Sequence, residues 1–234
     1  MSRTGTLQLR NRILRRLPKS DLKRLESKLE RIEMPRRTSL YEPNRPFDYV
    51  YFPETGVASI LTVLHDGTET EVATAGYEGV VGLQVFFGAE TTPGRAFWQI
   101  RGSAFRLKAE VFRAEAERGG ALADALLRYA HGFLNQLSQT VSCNFSHSIE
   151  QRAARWLLMI QDRAGDEFEL THEFISHMLG VRRAGVTEAM RSLQKAGGLQ
   201  YSRGLITILD RTRLEGISCE CYRSVSDEFS RLLD

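Results

Sequence analysis

The chain is poor in cysteine, has no long apolar run and carries little net charge. Its three cysteines, Cys143, Cys219 and Cys221, make no paired framework of the kind that staples secreted domains, so a reducing cytoplasm is the expected compartment. No stretch of about 18 apolar residues occurs, which argues against a membrane-spanning helix, and the first residues do not read as a secretory signal. The patterns G-x-S-x-G, H-E-x-x-H, G-x-G-x-x-G and the Walker A loop are all missing, so an enzyme is not expected. The glycines of Gly76–Gly82, spaced by three in a β-rich region, read as turns rather than as a phosphate cradle.

What is present is strongly organised. The formal net charge of +3 is spread unevenly: residues 1–40 hold twelve Lys/Arg against four Asp/Glu, residues 41–148 eight against twelve, and residues 149–234 twelve against thirteen. The segment from Arg10 to Arg37 reads as basic amphipathic helices broken at Pro18, with Leu14, Leu17, Leu22, Leu25 and Leu29 available for packing on the next domain. From about Ser39 to Lys108 the periodicity turns to β. DYVYF, VASILTVL, TETEVAT, VVGLQVFF (from Val80), RAFWQI and SAFRL predict a series of short strands in a sandwich, barrel or roll.

After Gly119-Gly120 a long helix is predicted to about Ser142, and it carries two apolar stripes. Leu122, Leu126, Tyr129, Phe133 and Leu137 form one, and Leu127, Leu134 and Val141 the other, at intervals of seven. Two stripes call for cover on two sides, by the β domain and by the same helix of a second chain. The first stripe is taken as the dimerisation set. The alternative is a helix buried inside one domain.

Thr171–Gly198 carries the most specific signal. Phe174, Ile175, Met178 and Leu179 give a first short helix one apolar face, Val186, Met190 and Leu193 do the same for a second, and Gly180 sits where the chain must turn. The second helix then faces outward with Arg182, Arg183, Ala184, Thr187, Glu188, Arg191 and Lys195. Ser202-Arg203-Gly204 joins two β-rich runs as a hairpin tip, giving a winged helix-turn-helix. With Thr171 and His172 at the start of the first helix and Arg203 on the wing, these residues make the candidate DNA-binding set. Between Arg182 and Arg203 five basic residues face one acid, and guanidiniums there can grip phosphates or fork onto guanine. A solvated helical hairpin, or a winged helix used for protein contact, is the competing reading. The outward arginines disfavour protein contact, which would prefer exposed apolar anchors.

The order of β-roll, long helix and winged helix resembles the Crp/Fnr superfamily of bacterial transcription regulators. Its strongest part is LTHEFISHMLGVRRAGVTEAMRSLQKAGGL, preceded by SIEQRAARWLLMIQDRAG. The resemblance implies an α+β chain in three parts: residues 1–118 as amino-terminal helices and jelly-roll-like sensor, 119–146 as dimerisation helix and hinge, and 147–234 as DNA-binding domain. It implies a homodimer acting on double-stranded DNA and on RNA polymerase, under a small-molecule effector of unknown identity. Arg183 matches the arginine that contacts a guanine or nearby phosphate, whereas Ala184 and Glu188 depart from the family pattern, so the operator need not match the best-known sites. Glu188 would accept from a cytosine amino group or pair with Arg191.

In this family the roll often holds a cyclic nucleotide through a Gly-Glu and an Arg-Ser/Thr dipeptide. The corresponding places here read Gly82-Leu83 and Arg95-Ala96, beside Tyr129 and Phe133 of the long helix. A ribose hydroxyl buried without its carboxylate acceptor costs about 1–3 kcal/mol, or one to two orders of magnitude in affinity, so cyclic AMP is not expected as the tight ligand. Arg95 would meet another anion or a structural carboxylate. An iron-sulfur cluster is not expected, because no cysteine precedes Cys143. His131 as a haem ligand is outweighed by a structural role, and Cys219-Glu220-Cys221 is too closely spaced for a C-x-x-C knuckle. No metal is expected; the Cys219/Cys221 pair, which would otherwise serve as a redox or metal sensor, reads as reduced thiols in a terminal helix region.

Overall fold

The computed structural model describes residues 9–234; the first eight residues of the amino-terminal segment lie outside the described residues. Pro18 separates two short helices, α1 (Arg12–Arg15) and α2 (Lys19–Glu26). Its ring fixes φ and cannot donate a backbone hydrogen bond, so it ends one helix and starts the next. Leu14, Leu17 and Leu25 are buried in the β-domain core as their spacing predicts. The helical reading of the rest of that segment is corrected: Glu30–Met34 is a strand, β1, paired antiparallel with Arg106–Gly102 of β5 (Arg95–Lys108). Its alternation of exposed and buried side chains is decided by that partner, not by local propensity.

The remaining strands are β2 (Ser39–Tyr41), β3 (Tyr49–Val63) and β4 (Glu69–Ala75), in an antiparallel sheet ordered β1-β5-β3-β4 with β2 also on β5. DYVYF and VASILTVL are one strand, as are RAFWQI and SAFRL. Both are bent where the β3–β5 register shifts around Thr55–Ala58. Gly56 lies in this bend at φ +81, and a Cβ there would come within 2.5 Å of the Ile100 carbonyl oxygen. The bulged bend lets two long strands curl into a roll. VVGLQVFF is not a strand: Gly82 adopts φ 93 and Leu83–Val85 form a single 3-10 turn whose leucine and valine are buried. A buried apolar run does not distinguish a strand from a tucked turn.

Helix α3 (Ala109–Glu117) leads through Gly119-Gly120, both at positive φ, into α4 (Ala121–Ser146). Ser148 then caps α5 (Ile149–Ala164) in a reciprocal capping box with Gln151. Beyond it lie β6 (Glu167–Glu169), α6 (His172–Leu179), α7 (Arg183–Lys195), β7 (Leu199–Ser202), β8 (Leu205–Ile208), α8 (Arg211–Ile217) and α9 (Cys221–Leu233). Helix α9 leaves the carboxy-terminal domain and lies along α4, where Phe229 stacks on Tyr129 (5.9 Å, 21°) and Val225, Phe229, Leu232 and Leu233 join the core of the roll. Among the described residues, no helix is long and apolar enough to cross a membrane.

Candidate nucleic-acid interface

Thr171 caps α6, its Oγ1 accepting from the Phe174 amide at 3.2 Å. At the far end Gly180 takes the left-handed conformation (φ 61, ψ 39), and Val181 N–H returns to the Ser176 carbonyl at 3.0 Å. This closes α6 and redirects the chain into α7. Val186, Met190 and Leu193 are buried against Ile175, Met178, Leu179 and the apolar side of α5. The wing is a two-residue hairpin: Ser202 pairs with Leu205, and Arg203 (φ 50) and Gly204 (φ 89) form its tip. Two consecutive positive-φ residues make a type I′ turn. An arginine is a strained choice there, since asparagine or glycine reaches that conformation more easily.

Arg182 at the cap of α7, Arg183, Ala184, Glu188, Arg191 and Lys195 of α7 and Arg203 of the wing are exposed. Among the described residues none of these five cations has a carboxylate within salt-bridge distance, and Glu188 pairs with neither Arg191 nor another arginine. No side chain caps the amino end of α7, so its first amides stay open beside Arg182 and Arg183. Cations left unpaired around an open helix end suit an anionic partner.

Three members of the predicted set, Thr171, His172 and Thr187, serve the scaffold instead. Thr171 is the cap of α6. The His172 ring stacks on Tyr201 of the wing (4.2 Å, 24°) and its Nδ1 lies 3.0 Å from Thr187 Oγ1. Thr187 in turn donates to the Arg183 carbonyl at 3.1 Å, so His172 Nδ1–H is the donor. Burial, then Arg183 and Arg191, push the imidazole below its ordinary value, leaving it neutral at physiological pH and unsuited to gripping phosphate. His172 and Thr187 lock the wing and α6 to α7. Ring stacking across three elements leaves no trace in the spacing of a sequence.

The family model described as the Crp-like helix-turn-helix domain matches residues 151–217, the span from α5 through α8. That domain is a Crp-like helix-turn-helix domain. Solved structures show the same frame over most of the chain. A protein described as a transcriptional regulator of the Crp/Fnr family from Eubacterium rectale is 20% identical, with 86% of this chain and 94% of that chain covered at a TM-score of 0.67. FixK2 from Bradyrhizobium japonicum is 20% identical over 82% and 98%, at 0.68. The c-di-GMP responsive global regulator CLP from Xanthomonas campestris is 16% identical over 82% and 99%, at 0.65. The chain thus has the fold of these structures, with a β-roll ahead of the helix-turn-helix domain. A comparison with curated protein sequences found no match.

The Crp-like domain is bolted to the roll of its own chain through α5 and α6. Phe174 meets Phe97 edge to face (6.1 Å, 84°). Arg163 of α5 is buried and grips buried Glu78 of the roll with Nε at 3.1 Å and Nη2 at 2.7 Å, while Nη1 donates to the Met159 carbonyl. Glu71 of β4 is buried and accepts from Ser59 Oγ (2.5 Å), Trp156 Nε1 (2.7 Å) and Gln99 Nε2 (3.2 Å). Burial lifts this carboxyl to about 7, against the pull of the Ser59 and Trp156 hydrogen bonds and the charges of Arg163 and Arg155.

Because the folded-state value lies above the unfolded one of 4.5, the folded chain retains a proton that the unfolded chain releases. The contribution of Glu71 to stability is therefore greatest below pH 4.5 and falls as pH rises toward 7. Glu71→Gln keeps an acceptor and carries no charge. It is expected to exceed the wild type by about 3 kcal/mol above pH 7 and to match it near the unfolded value. Urea unfolding across that range checks this; parallel pH profiles would contradict it.

The six residues expected to line an effector pocket are not brought together. Gly82, Leu83 and Phe133 line an apolar chamber of about 120 Å³ between the roll and α4, with Ile60, Phe87 and Leu137. Tyr129 is buried against Gly79 and Ala96 lies inside β5. Arg95 sits elsewhere, held by Glu69 at 2.9 Å and Glu42 at 3.4 Å, so it has the structural carboxylate of the two partners weighed.

The dimerisation set is also corrected. Leu122, Leu126 and Tyr129 are buried in their own chain, and Phe133 and Leu137 pack on that core. The stripe left open on α4 is Leu127 (56% exposed), Leu134 (62%) and Val141 (71%), continued by Phe145 (94%).

Proposed function

We propose that the chain is a sequence-specific, DNA-binding transcription regulator working as a cytoplasmic homodimer. The observation that carries this is the face formed by Arg182, Arg183, Arg191, Lys195 and Arg203: five exposed, unpaired cations on one helix and its wing, in a domain of the Crp-like helix-turn-helix family. Helix α7 enters the major groove, with Arg183 forking onto a guanine edge and Arg203 meeting the phosphate backbone beyond it. Lys195 and Arg191 add salt-dependent phosphate affinity. Glu188, free of any ion pair, is the acceptor for a cytosine amino group.

The exposed Leu127–Phe145 stripe supports dimerisation by α4, with its heptad spacing closing a helix pair. Two-fold symmetry then sets two α7 helices about 34 Å apart, one turn of DNA. The α4 chamber opens beside this stripe, at Phe87 and Leu134. A small apolar effector there would act on the dimer contact directly and so on the spacing of the reading heads and on RNA polymerase recruitment. The chamber is below the roughly 300–1,000 Å³ of a drug-sized site, and its lining has no charged residue for a cyclic phosphate.

The test is retention of genomic DNA fragments by the purified protein. A two-fold symmetric motif is expected, and Arg183→Ala should lower affinity for it about 10- to 100-fold. Sequence-blind retention, unaltered in Arg183→Ala, would point instead to a protein partner for the winged helix.

A further inference from the structure

The sequence separates Cys143 and His147 from Cys219 and Cys221 by more than seventy residues, and the fold brings them together. Cys143 lies in the last turn of α4, His147 caps that helix, and Cys219 and Cys221 stand at the start of α9. The three sulfurs and one imidazole nitrogen all lie within 4.8 Å of one another. Cys143 Sγ is 3.5 Å from Cys219 Sγ, and Cys221 Sγ is 3.7 Å from His147 Nδ1. The thiols are buried and form a cluster of their own, set apart from both apolar cores.

These distances fit one ion. Zinc–sulfur bonds of about 2.3 Å and zinc–nitrogen bonds of about 2.0–2.1 Å, in a tetrahedron, set ligand atoms about 3.5–3.8 Å apart. Convergence on one point also disfavours an iron-sulfur cluster, whose ligands spread over several metal atoms. The histidine is oriented for the task. Its Nδ1 faces the thiols while its Nε2 lies 3.3 Å from the Glu220 carboxylate, the second interaction that fixes tautomer and ring angle in metal-bound histidines.

A second observation comes from α5. Arg152 and Arg155 are buried, both act electrostatically on Cys143, and the Nε of each lacks a partner. Arg155 reaches Thr140 Oγ1 at 3.3 Å and Arg152 reaches the Leu179 carbonyl, both neutral oxygens. Buried guanidiniums need a counter-charge. Three thiolates and a neutral imidazole around a dication carry one net negative charge, facing these arginines.

We propose that Cys143, His147, Cys219 and Cys221 bind a single zinc ion, with no open coordination position. The ion pins α9 to the end of α4 at the point where the chain turns through Ser148 into the Crp-like domain. Thiolate and imidazole ligands select zinc over the oxygen-seeking magnesium and calcium. Each bound thiol gives up its proton on binding.

The full-length chain, expressed with zinc in the medium and purified under reduction without chelator, is expected to carry about one zinc per chain by elemental analysis. A thiol-directed mercurial should release that zinc, and cobalt added to the metal-free protein should give the intense visible absorption of tetrahedral thiolate coordination. Cys219→Ser and Cys221→Ser should lose the stoichiometric metal, and His147→Ala should weaken its retention. Cys143 is wholly buried, so the wild-type cobalt spectrum carries the test independently of how its variants fold. Absence of stoichiometric zinc together with only the weak spectrum of six-coordinate cobalt would overturn the proposal. So would stoichiometric iron or copper in place of zinc, or a Cys143–Cys219 disulfide as the stable form of the reduced-and-repurified chain.

Discussion

Arg163→Ala is expected to destabilise the protein by about 3–5 kcal/mol. The guanidinium and the Glu78 carboxylate are both buried, and removing one leaves the other as an uncompensated interior charge. Burial alone would raise the Glu78 carboxyl, but the charge and hydrogen bonds of Arg163 overcome it and hold the group below its ordinary value. That contribution is present above the unfolded-state value and disappears as pH falls through the folded one. The Arg163 stem packs flat on Gly76, where a Cβ would come within 2.4 Å of Cδ. Denaturant unfolding reads the effect. Arg163→Met with Glu78→Gln should recover much of the loss, since no charge is then stranded. A loss below 1 kcal/mol in the single variant would mean that the latch is open in solution.

Leu134→Asp should dissociate the proposed dimer and lower affinity for a two-fold operator by roughly 100- to 10,000-fold, the factor that linking two half-site readers supplies. Leu134 is the middle residue of the open stripe, 62% exposed in the single chain. An aspartate there costs the monomer little and puts two like charges face to face in a dimer. Sedimentation separates this from unfolding: a folded monomer is expected. A variant that remains dimeric at micromolar concentration would place the interface elsewhere. Leu126→Asp, by contrast, should unfold the chain, because Leu126 is fully buried beneath the roll.

The reading heads were legible in the sequence because they depend on local spacing. Apolar residues at three and four apart, with a glycine between, describe α6 and α7 whatever surrounds them. The long helix was legible for the same reason, and so were its two stripes. Which stripe faces outward was not, since that depends on α9 folding back from the carboxy terminus to cover a third side of α4. The strand β1 and the turn at Leu83–Val85 are not legible in the local pattern, because burial by a distant partner decides them. His172 and Thr171 were placed in the DNA-binding set because they open the first helix, yet cap geometry and ring stacking give them scaffold roles. Arg95 matches the family's dipeptide pattern by position, but Glu42 and Glu69 hold it, and it does not line the chamber that Gly82 lines. The four potential metal ligands are not legible as a site because they fall in two close pairs, Cys143 with His147 and Cys219 with Cys221, more than seventy residues apart, and neither pair alone makes a site.

The proposed function depends on α7 reading DNA. The most direct measurement is the affinity of wild type and Arg183→Ala for the retained genomic motif and for a scrambled duplex, each at two salt concentrations. The expected result is a loss of about 10- to 100-fold on the motif with little change on the scrambled duplex, and a steep salt dependence on both. Equal binding to the two duplexes by the wild-type dimer, or no loss on Arg183→Ala, would contradict it.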